Sequence, residues 1–156
     1  MKSIQSIIII AAFFLTSNLL AQDKLSNNLD DDNIALEGYS PVSYLDLKLA
    51  QKGSEQYQSV HEKVVYYFTS AAQKATFDKN PIQYLPQYGG YCAYGATVGS
   101  KLSVDPDEFI VEDGKYFLFY SSLMTDAKEA WLEENNHEQM KAKADKNWVE
   151  LRKSSN

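Results

Sequence analysis

The residue with the greatest potential for chemistry is Cys92, the single cysteine of the chain. It lies within Tyr88–Gly99, a stretch that holds four glycines in twelve residues. Glycine tolerates backbone geometry that other residues resist, and it lets another group approach the main chain closely. A thiol in such a loop is suited to binding a soft metal such as Cu(I), or to reacting with an oxidant or a second thiol. The alternative is a tight structural loop in which Cys92 fills space in the core.

A copper site would need further ligands, and the sequence offers few. His61 is expected at the tip of a hairpin, and Met124 carries a thioether that suits copper. The candidate metal ligands are therefore Cys92, His61 and Met124, with copper as the favoured ion. His137 is expected in the first turn of the last helix. An exposed position is the simpler explanation for both histidines, and core packing is the simpler explanation for Met124.

Tyrosines recur around the same glycines. Tyr88, Tyr91 and Tyr94 are spaced three residues apart, beside Gly89 and Gly90. Tyrosine rings with hydroxyl handles are suited to lining a small-ligand pocket, so these five are candidate ligand-binding residues, although core packing explains the tyrosines equally well. The glycine spacing fits neither the dinucleotide fingerprint nor a nucleotide phosphate loop. Since no acid–base pair or substrate is indicated either, we expect a non-enzymatic protein.

The composition argues against several classes of partner. The 156 residues carry 15 Lys+Arg against 21 Asp+Glu, a formal charge of −6. Such an acidic chain is a poor candidate for binding nucleic acid or anionic lipid. With one cysteine the chain cannot form an internal disulfide. Its stability must therefore come from a packed core, for which 44% hydrophobic residues are sufficient material.

Residues 1–21 have the layout of a signal peptide, with a charged start, the apolar run Ile7–Leu15 and a small residue before the cut. The run is too short to span a bilayer, so no stable membrane insertion is expected. The product is predicted to be exported to the periplasm or the extracellular space. Residues 22–33 are acidic and without periodicity, which predicts a disordered leader. The folded domain is then expected over 34–151, with 152–156 as a tail.

Strand patterns predict two β-hairpins. Gln56–Val60 and Lys63–Phe68 are rich in Val and Tyr and flank a short turn. Phe109–Val111 and Tyr116–Tyr120 flank an Asp-Gly pair, which accepts the positive φ of a type I′ turn. A further strand is predicted at Leu102–Val104, ahead of a proline turn.

Helix signals occupy the rest of the chain. Ser70 opens a capping box with Gln73, and the helix that follows is predicted to run to Lys79. Helices are also predicted over Thr125–Glu134 and Asn135–Leu151, whereas the glycine-rich segment is predicted to lack a regular element. The expected fold class is therefore α+β: a small single domain with two short antiparallel β-hairpins packed by several helices, including a C-terminal amphipathic helix.

Taken together, these motifs resemble the YHS domain. The matching residues are Tyr67-Phe68-Thr69-Ser70, Phe77, Asn80-Pro81, Tyr84, Pro86 and Tyr88-Gly89-Gly90-Tyr91-Cys92-Ala93. The Gly-Gly-Tyr-Cys-Ala ending is similar to that of the family's exported bacterial branch. The flanking Gly38–Val42, Asp113–Tyr116 and Lys143–Leu151 are also similar to that branch. The resemblance spans about Ile34 to Leu151.

The resemblance implies a small domain that is often linked to heavy-metal handling, copper especially. Metal-handling members place cysteines at the positions of Thr69 and Gln73, so their metal site does not carry over to this chain. Cys92 belongs instead to the signature of the exported branch. The fold therefore transfers more readily than the function.

Three hypotheses for function follow. The first is a non-enzymatic binder of a metal ion or small ligand centred on Cys92. The second is a thiol-reactive protein whose Cys92 forms a mixed disulfide or persulfide with an exported protein partner. The third is a structural or interaction module in which Cys92 is buried and the tyrosine-rich surface docks a partner.

Overall fold

A computed structural model describes residues 26–122, 125–133 and 137–154. The fold is α+β, a small domain of antiparallel two-stranded sheets and several helices, as the sequence predicts. In chain order the strands and α-helices are β1 (Ser54–His61), β2 (Val64–Phe68), α1 (Ala71–Lys79), α2 (Ala93–Thr97), β3 (Asp105–Glu112), β4 (Lys115–Phe119), β5 (Ser121–Ser122), β6 (Thr125–Asp126), α3 (Ala127–Glu133) and α4 (His137–Leu151). Short 3₁₀ turns cover Leu36–Gly38, Pro81–Tyr84 and Gln87–Gly90, and a π-helical turn covers Ser43–Leu47.

The predicted signal peptide, the first residues of the predicted leader and the last two residues of the chain lie outside the described residues. Within the described ranges, no helix combines the length and the apolar character needed to cross a membrane.

Strands β1 and β2 form the first predicted hairpin. Val64, Tyr66 and Phe68 are buried at alternate positions of β2, as expected for a strand with one face on the core. The turn residues Glu62 and Lys63 both have positive φ, at 48° and 68°. Two successive positive φ values are the geometry of a type I′ turn. The hairpin predicted from the sequence is confirmed.

Strands β3 and β4 form the second predicted hairpin. Its turn again has two positive φ values, 50° at Asp113 and 69° at Gly114. Residues Tyr116–Phe119 of β4 are all buried, without the alternation seen in β2. A strand buried throughout is covered on both faces. The second hairpin is therefore the central one in the packing.

The separate strand predicted at Leu102–Val104 is wrong. Strand β3 begins at Asp105 and continues through Pro106, while the residues before it are irregular. The pairing of β3 with β4 shifts between Asp105 and Phe109. Proline has no N–H to give to a ladder, and a local shift in register is where a strand accommodates it.

The capping box at the start of α1 extends into a buried hydrogen-bond network. Ser70 Oγ accepts from the backbone N–H of Gln73 at 3.3 Å. Gln73 Oε1 accepts from the N–H of Thr69 at 3.1 Å and from Ser40 Oγ at 2.7 Å, and Gln73 Nε2 donates to Ser43 Oγ at 2.9 Å. Ser40 and Ser43 are fully buried, so their hydroxyls depend on such partners. A neutral amide thus connects these buried hydroxyls at the start of α1.

Helix α3 starts two residues later than the sequence predicts. Asp126 Oδ1 accepts from the N–H groups of Lys128 and Glu129 at 3.0 and 2.9 Å. This is the geometry of an N-cap, so the helix begins at Ala127 rather than at Thr125.

Helix α4 places its predicted apolar face on the core. Met140 and Ala144 are buried, and Trp148 and Leu151 are partly buried against the same cluster. Its predicted first two residues, 135 and 136, lie outside the described residues. The amphipathic pattern of the C-terminal helix is therefore confirmed where the structure describes it.

Replacing Gln73 with alanine should lower the free energy of unfolding by about 2–3 kcal/mol, because the buried hydroxyls of Ser40 and Ser43 each lose a partner. Urea denaturation followed by circular dichroism measures the change. The matched control is Gln58→Ala on β1, whose side chain is exposed and should change stability by less than about 0.5 kcal/mol. Equal effects of the two substitutions would contradict the role assigned to the network.

Candidate functional site

Cys92 is a helix cap inside the core. It immediately precedes α2, and its Sγ accepts a hydrogen bond from the backbone N–H of Gly95 at 3.4 Å. Its own N–H donates to the carbonyl of Leu102 at 3.0 Å, and the residue is 0% exposed. A thiol in this setting behaves as a small apolar side chain whose sulfur is a weak hydrogen-bond acceptor. The position of Cys92 therefore agrees with the alternative in which it fills space in the core, rather than with a reactive site.

The short helix α2 corrects the expectation that the glycine-rich segment has no regular element. A Cβ at Gly95 would lie 2.9 Å from the carbonyl oxygen of Ser100 and 3.2 Å from Cγ of Leu102. Glycine is needed at this position because the following chain folds back closely onto the helix. Its presence therefore reflects packing and does not prevent a single turn of helix.

His61 does not join Cys92 in any group of three His, Cys, Asp or Glu ligands among the described residues. His61, at the end of β1, is partly buried and lies edge-on to Phe77, with 6.4 Å between the ring centroids. Met124 lies outside the described residues. Within those residues, a copper site centred on Cys92 therefore has neither an exposed thiol nor an assembled set of partners.

The predicted ligand-binding glycines are instead covered by the N-terminal part of the chain. We call residues 26–35 the N-terminal strap, and the backbone of Gly89 and Gly90 the glycine groove. The N–H of Asn28 donates to the carbonyl of Gly89 at 2.8 Å, and Asn28 Nδ2 donates to the carbonyl of Gly90 at 3.2 Å. A Cβ at Gly89 would lie 1.9 Å from the carbonyl oxygen of Ser26. The strap therefore crosses directly over the position where a side chain would stand.

The backbone of the glycine groove has an unusual conformation. Tyr88, Gly89 and Gly90 have φ values of 52°, 60° and 83°. Three successive positive φ values are unusual, and Tyr88 is the residue that adopts one without being glycine. Its ring is held by packing, since it lies 5.9 Å from the Trp148 ring in an edge-on arrangement. Packing of Tyr88 thus fixes the turn that shapes the groove.

The three predicted ligand-binding tyrosines are occupied by contacts within the protein. Tyr88 is buried and its hydroxyl donates to Asp145 Oδ1 at 3.0 Å. Burial and the Asp145 carboxylate together raise the pKa of Tyr88 well above its usual range. The hydroxyl of Tyr91 donates to the carbonyl of Asn27 at 3.2 Å, so Tyr91 binds the strap. Tyr94 is partly buried in α2, where it packs against the core.

The predicted disordered leader is packed from residue 26 onward. Asp30 Oδ1 accepts from the N–H groups of Asp32 and Ile34 at 3.0 and 2.8 Å, which closes a tight turn. Beyond the turn, the N–H of Val65 in β2 donates to the carbonyl of Asn33 at 2.9 Å. Composition did not indicate this order because backbone hydrogen bonds to distant residues, rather than an apolar pattern, hold the strap in place.

The start of the strap reaches the far end of the chain. Ser26 Oγ donates to the carbonyl of Arg152 at 3.3 Å, just after the end of α4. The strap therefore connects β2, the glycine groove and the C-terminal helix.

A second group of chemically capable residues was not predicted from the sequence. Asp113, His137 and Glu138 each offer a ligand atom, and these atoms lie within 4.8 Å of one another. His137 Nδ1 accepts from the indole N–H of Trp131 at 3.1 Å, while Nε2 is buried without a hydrogen-bond partner. His137 is partly buried rather than a fully solvated helix-start residue. A separation of more than twenty residues between turn and helix hides the group in the sequence.

The thiol of Cys92 should resist iodoacetamide in the folded protein and react fully in urea, because modification requires the fold to open. The rate is followed by mass spectrometry at neutral pH. In the control, Cys92→Ser combined with Ser103→Cys moves the thiol to an exposed position, and it should react rapidly. Rapid modification of native Cys92 would contradict its placement and support the thiol-reactive hypothesis.

Alanine substitutions at Gly89 and Gly99 distinguish the cost of backbone strain from the cost of a steric clash with the strap. Both glycines have positive φ, 60° and 76°, but a Cβ at Gly99 meets nothing within 4 Å. We expect Gly99→Ala to lower the free energy of unfolding by about 1 kcal/mol from backbone strain alone. Gly89→Ala should cost about 2–3 kcal/mol, because it also displaces the strap.

Hydrogen exchange at the Asn28 amide distinguishes the two effects. Gly89→Ala should make this amide exchange much faster, and Gly99→Ala should leave it protected. The same protection in both variants would show that the strap does not depend on the glycine groove.

No protein-family model matches this chain, and no curated protein or solved structure matches it. The resemblance to the YHS domain therefore rests on the motif residues alone, and function has to be argued from the geometry of the sites described above.

Proposed function

We propose that this chain is an exported, non-enzymatic interaction module of the YHS-like kind, and that its glycine groove binds extended polypeptide. The N-terminal strap occupies the groove in the same chain and acts as an intramolecular ligand. A partner segment with similar backbone geometry would compete with it. The proposal takes up the interaction-module hypothesis, with the tyrosine- and glycine-rich segment as the docking surface.

One observation carries the proposal: the glycine groove binds the strap through backbone carbonyls that no side chain covers. The carbonyls of Gly89 and Gly90 both accept from Asn28, one from its N–H and one from its side-chain amide. Neither glycine has a side chain, so a second main chain can approach as closely as Ser26 does. Backbone-to-backbone recognition of an extended segment is a recurrent way of binding peptides.

The contacts also favour particular features in the bound segment. Asn28 uses two donors on neighbouring carbonyls, which an asparagine supplies and an aliphatic residue does not. The hydroxyl of Tyr91 donates to the carbonyl of the preceding residue, Asn27. Leu29, the next residue, packs on the edge of the core. The preferred segment therefore carries asparagine followed by an apolar residue.

The burial of Cys92 favours this proposal over the two thiol-centred hypotheses. A fully enclosed sulfur that already accepts a hydrogen bond is shielded from oxidants and partner thiols. Binding of copper at Cys92 would require the start of α2 to open. Cys92 is better suited to stabilising the helix that follows the groove.

Cutting the strap from the domain tests the proposal on the whole chain. A protease site placed between the exposed residues Asp31 and Asp32 lets the strap be separated covalently while it remains in its groove. After cleavage, we expect a fluorescently labelled N-terminal fragment to stay bound with a micromolar dissociation constant, measured by anisotropy on dilution. An unlabelled peptide with the sequence of residues 22–31 should displace it.

Two variants identify the groove as the binding surface. Gly89→Ala should weaken retention of the fragment at least tenfold, because its Cβ occupies the place of the Ser26 carbonyl. Gly99→Ala has a similar backbone conformation away from the strap and should retain the fragment. Immediate loss of the fragment from the unsubstituted protein, or equal retention by both variants, would refute the proposal.

A further inference from the structure

We infer that the strap of one copy of this chain binds the glycine groove of a second copy, so that two chains form a dimer by exchanging residues 26–29. The inference rests on the proposed function, because it names the polypeptide that the groove takes from outside its own chain. The strap is a polypeptide that the structure shows to fit the groove, and every copy of the chain carries it. A reciprocal exchange uses both straps and both grooves, so it gives a closed dimer.

The hydrogen bonds that hold residues 26–29 on the domain do not require both partners to belong to one chain. Asn28 Nδ2 donates to the carbonyl of Gly90, 62 positions away, and Ser26 Oγ donates to the carbonyl of Arg152, 126 positions away. The same bonds form with the same geometry when the strap comes from another copy. The covalent link through the turn at residues 30–34 is what makes these contacts intramolecular.

Residues 26–29 can leave the domain without opening its core. All four are only partly buried, and Leu29 packs on the edge of the core. Among the described residues, the first buried one along the chain is Ala35. Its N–H donates to the carbonyl of Val65 in β2 at 3.0 Å. An exchange of residues 26–29 therefore leaves the hydrophobic core of each copy intact.

The turn between these two parts of the strap has the properties of a hinge. Asn33 has a φ of 63°, and its N–H donates to the carbonyl of Asp30 at 3.2 Å. The closed turn thus depends on one residue in the left-handed region. Asp30, Asp31 and Asp32 are consecutive and exposed, and a run of like charges favours an extended chain. Extension of this turn is the backbone change that an exchange requires.

In the unsubstituted chain, closure of the strap on its own groove competes with exchange. A segment tethered by a short linker is present at its site at an effective concentration in roughly the millimolar range. Exchange therefore becomes substantial only as the protein concentration approaches about 1 mM. A substitution that prevents the turn from closing removes this advantage. Dimers then form at concentrations set by the affinity of a separate strap for the groove.

Proline at position 33 tests the exchange in the chain from residue 22 onward. Proline holds φ at about −65°, so Asn33→Pro is incompatible with the closed turn. Asn33→Gly is the matched control, because glycine accepts a positive φ. By analytical ultracentrifugation, we expect Asn33→Pro to dimerise at protein concentrations at least tenfold lower than Asn33→Gly and the unsubstituted chain. Adding Gly89→Ala to Asn33→Pro should restore the monomer, because the new Cβ occupies the place of the Ser26 carbonyl.

Isotope labelling distinguishes an exchanged dimer from any other dimer. Copies of Asn33→Pro labelled with ¹³C and ¹⁵N are mixed with unlabelled copies, and isotope-filtered NOEs then report contacts between chains. We expect such NOEs from the backbone and side-chain amides of Asn28 to the α-protons of Gly89 and Gly90. The unsubstituted chain at about 1 mM should show the same NOEs, so the test does not depend on the folding of a variant.

The peptide with the sequence of residues 22–31 distinguishes failure of this inference from failure of the proposed function. The exchange is overturned if Asn33→Pro stays monomeric at concentrations where the peptide binds its emptied groove. It is also overturned if the dimer gives no NOE between Asn28 and the groove of the other copy, or if the dimer persists with Gly89→Ala. A peptide that fails to bind the emptied groove would refute the proposed function and the exchange together.

Discussion

Because β4 is buried from Tyr116 to Phe119, the neighbouring elements have to cover both of its faces. Successive side chains of a strand point to opposite sides. Tyr116 meets the stacked ring of Tyr44 at 5.1 Å on one side, while Trp131 packs on Phe117 and Phe119 at 5.9 and 5.6 Å on the other. In a chain without an internal disulfide, stability has to come from packing, and these aromatic contacts lie at its centre. Tyr88 packs on Phe117 of the same strand at 6.1 Å, which places the glycine groove beside β4.

Caps and turns formed by residues close together in the sequence could be predicted, whereas features that depend on contacts between distant residues could not. Ser70 with Gln73, and the Asp-Gly pair at 113–114, specify a helix start and a hairpin turn through bonds within a few residues. The cap formed by Cys92 was missed because cysteine rarely has that role, and the strap was missed because its partners are about sixty residues away. The cluster around His137 needed both the hairpin and α4 in place before its members could be seen together.

The structure gives physical reasons for several of the residues that resemble the YHS domain. Gly89 and Gly90 are needed because a second stretch of backbone crosses them, and Cys92 is useful because it fits a cap inside the core. The position of Gln73 supports a neutral network of hydroxyls and amides. Motif residues that suggest thiol chemistry in the sequence are thus accounted for by packing and by contacts with the N-terminal strap.

The bond between Ser26 and Arg152 joins residues 126 positions apart, and this distance has a consequence for the order of folding. Closing so long a loop is entropically costly until the intervening chain has become compact. The Ser26 end of the strap can therefore dock only after α4 is in place, whereas the contacts of the strap with β2 and the glycine groove need only the core. A folding intermediate with an ordered core and an undocked N-terminal segment is expected, and in that interval the backbone of Gly89 and Gly90 is open to other chains.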